Sequence, residues 1–88
     1  MPYAIQIETA LETKLDKLKK KDNSIYQRVI HKIIDISKNP ELGKPLRNVL
    51  KGKRRVHVGS FVLFYLIDKK NETVTFLEFE HHDKAYRK

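Results

Sequence analysis

The chain has 88 residues, and 19 lysines and arginines against 11 aspartates and glutamates give it a formal net charge of +8 at pH 7. Cysteine is absent, which excludes disulfides, thiolate metal ligands and a cysteine nucleophile, and no apolar run reaches the ~18 residues of a membrane span. We therefore expect one small cytoplasmic domain, residues 1–88, without membrane contact, whose positive charge favours an anionic partner: nucleic acid first, an acidic protein second.

The N-terminal half predicts a strand followed by two amphipathic helices. Residues 3–8 alternate between apolar and polar side chains, as a strand does. A helix is expected from Thr9 to Lys21 and a second one from about residue 24 to Asn39, where Pro40 ends it. Residues 9–12 and 24–27 both resemble capping boxes. Because each helix has a single apolar stripe and the break between them is short, they are expected to form a helical hairpin that packs on another element.

The C-terminal half predicts a three-stranded antiparallel meander. Residues 54–58 alternate, Gly59 and Ser60 suit a type II′ hairpin turn, residues 61–67 are a continuous apolar run typical of a central strand, and residues 73–80 form the last strand. Residues 40–52 are interpreted as a linker and residues 81–88 as a tail. The predicted class is α+β: an N-terminal strand, a helical hairpin on one face of the sheet, and the meander, whose other face stays open.

The stretch from residue 44 to residue 55 is strongly basic and contains no acid. Such a density of cations favours binding of a phosphate backbone over the alternative of a solvated loop. The six residues are Lys44, Arg47, Lys51, Lys53, Arg54 and Arg55.

Two groups of residues could carry proton-transfer chemistry. The alternation of residues 54–58 places Arg55 and His57 on the sheet face away from the helices, and imidazole can exchange a proton near neutral pH. Taken alone, however, this pair is more typical of two ordinary exposed polar residues in an amphipathic strand. Residues 81–86 combine two histidines, an acid, a lysine and a tyrosine. A metal site is disfavoured there because adjacent histidines point apart, which leaves proton transfer or stacking of the tyrosine on a base. His31, on the second helix, is interpreted as structural or solvent-facing and distant from both groups.

Three segments, together with the order of the elements, resemble the RelE/ParE superfamily of toxin–antitoxin toxins, and within it the RelE-type branch. They are residues 45–52 (PLRNVLKG), residues 54–65 (RRVHVGSFVLFY) and residues 81–86 (HHDKAY). The resemblance covers nearly the whole chain. It implies a cytoplasmic endoribonuclease that cuts mRNA in the ribosomal A site by attack of the ribose 2′-OH on the adjacent phosphate. It also implies no metal, no cofactor, and a cognate antitoxin protein that holds the toxin inactive.

The same resemblance implies roles for individual residues. Arg55 would stabilise the charge of the transition state, and His82 would be the general acid or base. His57 would be a second proton-transfer group, and Tyr86 would orient the RNA or stack on a base. Seven further cations would hold RNA: Lys44, Arg47, Lys51, Lys53, Arg54, Lys84 and Arg87.

The chain departs from the family pattern in the hairpin. Val62 stands where the second hairpin strand usually carries an arginine, and His82 stands where many members have arginine. Either the histidines substitute for the arginine or the nuclease activity is weak or absent. Two other functions therefore remain open: a ParE-like inhibitor of DNA gyrase, and a catalytically weak homologue that binds RNA or the antitoxin.

Overall fold

The computed structural model describes residues 2–46 and 53–85, the last two by their backbone alone. No helix within these ranges is long and apolar enough to cross a membrane. The elements of the described chain are β1 (Ala4–Ile7), α1 (Thr9–Lys21), α2 (Asn23–Lys38), a 3₁₀ turn (Pro40–Leu42), β2 (Lys44–Pro45), β3 (Lys53–Val58), β4 (Phe61–Asp68), β5 (Thr73–His81) and α3 (His82–Ala85).

The strands form one sheet in the order β1-β5-β4-β3-β2, in which β1 runs parallel to β5 and the other neighbours are antiparallel. The predicted strand, helical hairpin and meander are confirmed. Strand β2 and helix α3 differ from the expectation, which has a linker at residues 44–45 and a tail at residues 82–85. Two residues of strand and one turn of helix are too short to produce a recognisable periodicity.

The two capping boxes predicted from the sequence are wrong. Helix α1 begins at Thr9 itself, and Glu8 precedes it without a side-chain cap. Helix α2 begins one residue earlier than expected, and the Asp22 carboxylate accepts a hydrogen bond of 3.2 Å from the backbone N–H of Ile25. Asp22, two positions upstream of Ser24, therefore caps this helix through its N3 amide, and Ser24 lies inside the first turn.

The main core lies between the helices and one face of the sheet, as the apolar stripes predict. Its members from β4 alternate with residues that point to the other face, and on β5 a register shift opposite Phe64 and Tyr65 sets Phe76 and Phe79 three positions apart on the core side. The buried residues that form it are Leu11, Leu15, Val29, Ile33, Ile36, Val58, Leu63, Tyr65, Val74, Phe76 and Phe79. At the β3–β4 turn Gly59 has a φ of 60°, the positive value that the first central residue of a type II′ turn requires.

Tyr65 of β4 ties the segment that follows α2 to the centre of the sheet. Its ring is fully buried, and its hydroxyl donates to the Pro40 carbonyl and accepts from the Gly43 N–H, both at 2.8 Å. A Cβ on Gly43 would lie 2.7 Å from this hydroxyl, so the close approach requires glycine. Burial raises the pKa of the Tyr65 phenol above its ordinary value, which keeps it protonated and able to donate.

We expect Tyr65→Phe to lower the free energy of unfolding by about 1–3 kcal/mol, because it leaves the buried Gly43 N–H without an acceptor. Urea denaturation followed by circular dichroism measures the change. Tyr26→Phe is the matched control, since no hydrogen bond from that hydroxyl occurs in the described part of the chain, and it should shift stability by less than about 0.5 kcal/mol. Equal losses in the two variants would contradict the anchoring role of Tyr65.

Candidate functional site

The sheet face that points away from α1 and α2, which we call the distal face, carries Arg55 and His57 as the alternation predicted. Val56 and Val58 pack toward the helices, so the residues between them point the other way. The register places Arg55 beside Phe64 and His57 beside Val62 of β4.

Three cations from the basic stretch are neighbours on the distal face. Lys44 of β2 pairs with Arg55 of β3 in the sheet register. Lys53, two residues before Arg55 on the same strand, holds its Nζ 5.5 Å from the centre of the Phe64 ring, within the range of a cation–π contact. The distal side of β2 and β3 is therefore positively charged.

Arg54 is separated from these cations, although the sequence grouped it with them as an RNA contact. It pairs with Tyr65, on the helix side of the sheet, and its Nη1 donates a hydrogen bond of 2.6 Å to the Gly43 carbonyl. This guanidinium therefore supports the turn that Tyr65 anchors.

Helix α3 brings His82 next to His57. The His82 backbone N–H donates to the Ser60 carbonyl at 2.8 Å, which holds the start of α3 on the β3–β4 turn. The centroids of the His57 and His82 rings are then 5.9 Å apart, with an interplanar angle of 31°. Two imidazoles that are distant in the sequence thus share one side of the sheet, beside Arg55.

His81 and His82 have different surroundings, although they are consecutive. The His81 ring contacts Phe61 edge-on at 5.4 Å between centroids, and its Nδ1 accepts a hydrogen bond of 3.3 Å from the Asp83 N–H. Asp83 also lies 3.9 Å from His82 Nδ1, but this carboxylate is 88% exposed, so solvent weakens the attraction. Of the two histidines, His82 is the one beside His57.

The expectation that the distal face is open is wrong in its centre. Val62 is fully buried and Phe64 is 7% exposed, although neither belongs to the core on the helix side. Helix α3 packs against β4 and β5, and Lys53 lies over Phe64. The side chains of Val62 and Phe64 together form an apolar floor under the polar groups of this face.

His31 is not distant from the other histidines, contrary to the sequence interpretation. It lines a cavity between α2 and β3 to which His57 also contributes. Arg28, Lys32 and Asp35 line the same cavity, and their spacing of three and four residues is that of one helical face. That spacing was visible in the sequence, but its position beside His57 depends on how α2 packs.

Residues 5–86 match the family model described as the ParE toxin of the type II toxin–antitoxin system parDE. The chain belongs to this toxin family, within the RelE/ParE superfamily. A Methanocaldococcus jannaschii protein named RelE4 is 40% identical over 87 residues, which are 98% of this chain and 93% of that protein. The sequence resemblance to the superfamily is therefore confirmed.

Solved structures of other RelE proteins have the same fold. The toxin–antitoxin complex RelBE2 of Mycobacterium tuberculosis contains a chain that is 32% identical, with a TM-score of 0.76, and the match covers 92% of this toxin and 99% of that chain. A mutant of the E. coli toxin RelE in the free state has a TM-score of 0.80 at 14% identity, with coverage of 97% and 88%.

Several residues expected in the site lie outside the described residues: Arg47, Lys51, Tyr86 and Arg87, together with the Lys84 side chain. Across residues 2–46 and 53–83, no group of three or more histidines and acids could hold a metal ion.

The ring contact between His57 and His82 predicts a selective spectroscopic effect. In the toxin with ¹³C-labelled histidine, His82→Ala should move the His57 ring resonances because it removes an aromatic neighbour at 5.9 Å. His81→Ala is the matched control and should leave the His57 resonances in place, since that ring lies against Phe61. Equal shifts in the two variants would contradict the placement of His82.

Proposed function

We propose that this toxin is an endoribonuclease that cleaves mRNA in the A site of the ribosome. The observation that carries the proposal is the pair of imidazoles, His57 and His82, held 5.9 Å apart beside Arg55 on a cationic face. Membership in the RelE/ParE superfamily supports it. The reaction would take place where the distal face carries its positive charge.

The two histidines suit the two proton transfers of RNA cleavage. The ribose 2′-oxygen forms a bond to the adjacent phosphorus while the bond from phosphorus to the 5′-oxygen breaks. One imidazole accepts the proton of the 2′-OH, and the other donates a proton to the departing 5′-oxygen. A phosphate bound across the two neighbouring rings would be within reach of both imidazoles. We assign His82 as general acid or base and His57 as its complement.

Arg55 would stabilise the additional negative charge that develops on the phosphate. Its planar guanidinium can donate two parallel N–H groups to phosphate oxygens, which a lysine cannot do. The apolar floor of Val62 and Phe64 beneath it strengthens this attraction because it excludes water from one side. Val62 stands at the position where related hairpins carry an arginine, so Arg55 and the histidines would act without that second guanidinium.

The proposed partners follow from the same surface and from the relatives. The M. tuberculosis relative was solved as a toxin–antitoxin complex, and we infer a cognate antitoxin protein for this toxin as well. The formal charge of +8 would favour association with ribosomal RNA, mRNA and an acidic antitoxin, because it steers anionic partners toward the protein. Lys44 and Lys53 would contact phosphates. A ribosomal target would imply that the toxin acts in the cytoplasm.

The decisive experiment is mRNA cleavage in a purified translation system. The wild type should produce cuts in the A site, and His82→Ala should reduce the rate by about 10²–10⁴-fold, the usual contribution of a general acid or base. His81→Ala removes the same chemical group one position away and should retain activity within a few-fold. Loss of activity in both variants, or in neither, would refute the role of His82.

Variants of Arg55 give a second test of the proposed mechanism, because they separate the effect of positive charge from that of the guanidinium geometry. Arg55→Gln should lower the rate by about 10²–10³-fold, as removal of a preorganised donor does, and Arg55→Lys should recover part of it by restoring the charge. The midpoint temperature of thermal unfolding should be close to the wild-type value in both variants, so that a change in rate is not caused by loss of the fold. Full activity of Arg55→Gln would remove Arg55 from the mechanism.

Inhibition of DNA gyrase is the second candidate, because the matching family model is that of a ParE toxin. A supercoiling assay with purified gyrase distinguishes it from RNA cleavage. Inhibition of supercoiling that persists in His82→Ala, without cuts in mRNA, would replace the nuclease by the gyrase inhibitor. Ribosome binding without either effect would identify the toxin as a catalytically weak homologue.

A further inference from the structure

A second group of cations lies beside the histidine pair, at the edge of the sheet. An open cavity of about 220 Å³ lies between one face of α2 and the end of β3. Among the described residues, β2 pairs with β3 only at Arg54 and Arg55, so the end of β3 from Val56 to Val58 is not covered by that strand. The lining residues are Arg28, His31, Lys32 and Asp35 of α2 with His57 and Val58 of β3.

Two of the lining cations are not neutralised within the described residues. Arg28 and Lys32 have no acidic partner within ion-pair distance there; Asp35, which lines the same cavity, pairs with neither. The Arg28 guanidinium lies at the β3–β4 turn, since a Cβ on Gly59 would be 3.3 Å from its Nη1. The lining thus has two positive charges against one carboxylate.

We propose that this cavity is a binding subsite for the phosphate that neighbours the cleaved bond in the RNA strand. The inference rests on the proposed nuclease function and adds a specific set of residues to it. The His57 ring contacts His82 on the distal face, and His57 as a residue also borders the α2 cavity at the uncovered edge of β3. A strand whose reacting phosphate is bound by the two histidines, and which continues around the uncovered edge of β3, would place an adjacent phosphate toward Arg28 and Lys32.

The chemistry of the lining favours RNA over a protein segment as the occupant. An antitoxin segment would need apolar anchor pockets to bind stably, whereas Val58, the aliphatic member of this lining, is 2% exposed. The accessible side-chain groups that α2 contributes are the Arg28 guanidinium, the Lys32 ammonium and the His31 imidazole, all of which can donate to phosphate oxygens. Asp35 would make the site selective for a single phosphate by opposing further negative charge.

The first test is binding of a single-stranded 2′-fluoro RNA, which lacks the attacking hydroxyl and cannot be cleaved. We expect Arg28→Gln/Lys32→Gln to weaken binding roughly tenfold and to reduce the dependence of log K on log salt concentration by about 0.7 for one phosphate contact. The matched control is Lys38→Gln/Lys70→Gln, which removes the same charge at the end of α2 and in the β4–β5 turn. It should keep the wild-type slope.

The second test is ribosome-dependent cleavage by the same variants. Loss of Arg28 and Lys32 should raise KM with kcat unchanged within about twofold, because the subsite binds ground state and transition state alike. Two outcomes would overturn the proposal. Equal weakening of RNA binding by both double variants would mean that only the net charge of the toxin matters.

Unchanged RNA binding together with lost affinity for an antitoxin would assign the cavity to a protein partner instead. If the wild type binds RNA but does not cleave it, the nuclease function fails, while the binding comparison still decides the subsite.

Discussion

Strand β4 has apolar side chains on both faces, and the other elements are arranged so that both faces are covered. Leu63 and Tyr65 are buried against the helices, whereas Val62 and Phe64 are buried on the distal face. Exposure of these side chains to water would cost about 1.5–3 kcal/mol each. The helical hairpin covers one face, and α3 with the stems of neighbouring cations covers the other. The candidate site thus consists of the same residues that bury the distal face of β4.

Because these residues bury the distal face of β4, the polar groups of the site lie on an apolar floor. His57 pairs with Val62, and Arg55 pairs with Phe64, so each polar side chain has a buried apolar neighbour in the next strand. Electrostatic and hydrogen-bonding interactions are stronger where water is excluded on one side. The hydrogen bond from His82 to the Ser60 carbonyl then fixes the second imidazole against this surface through the backbone, without using its ring.

Charge is segregated across the distal face. Lys44, Lys53 and Arg55 lie on the side of β2 and β3, while Glu78 and Glu80 lie opposite Phe64 and Val62 on β5. The Lys14 ammonium of α1 pairs with Glu80, which neutralises an acid that would otherwise weaken the positive potential. An approaching phosphate chain is therefore attracted toward β3 and toward the cavity beside α2.

The local patterns of the sequence were sufficient for the strands of the meander, both helices and the orientation of Arg55 and His57, because side-chain periodicity depends on the backbone geometry of one element. Contacts between residues of different elements were decided by the tertiary structure. The contact of His57 with His82, the separation of Arg54 from the other cations, and the position of His31 beside β3 all require the packing of distant segments. The two capping boxes were wrong and β2 was not predicted, because single hydrogen bonds and a two-residue strand leave too little pattern to recognise. In this toxin the sequence determined which side chains each element offers, and only the packing around β4 decided which of them meet.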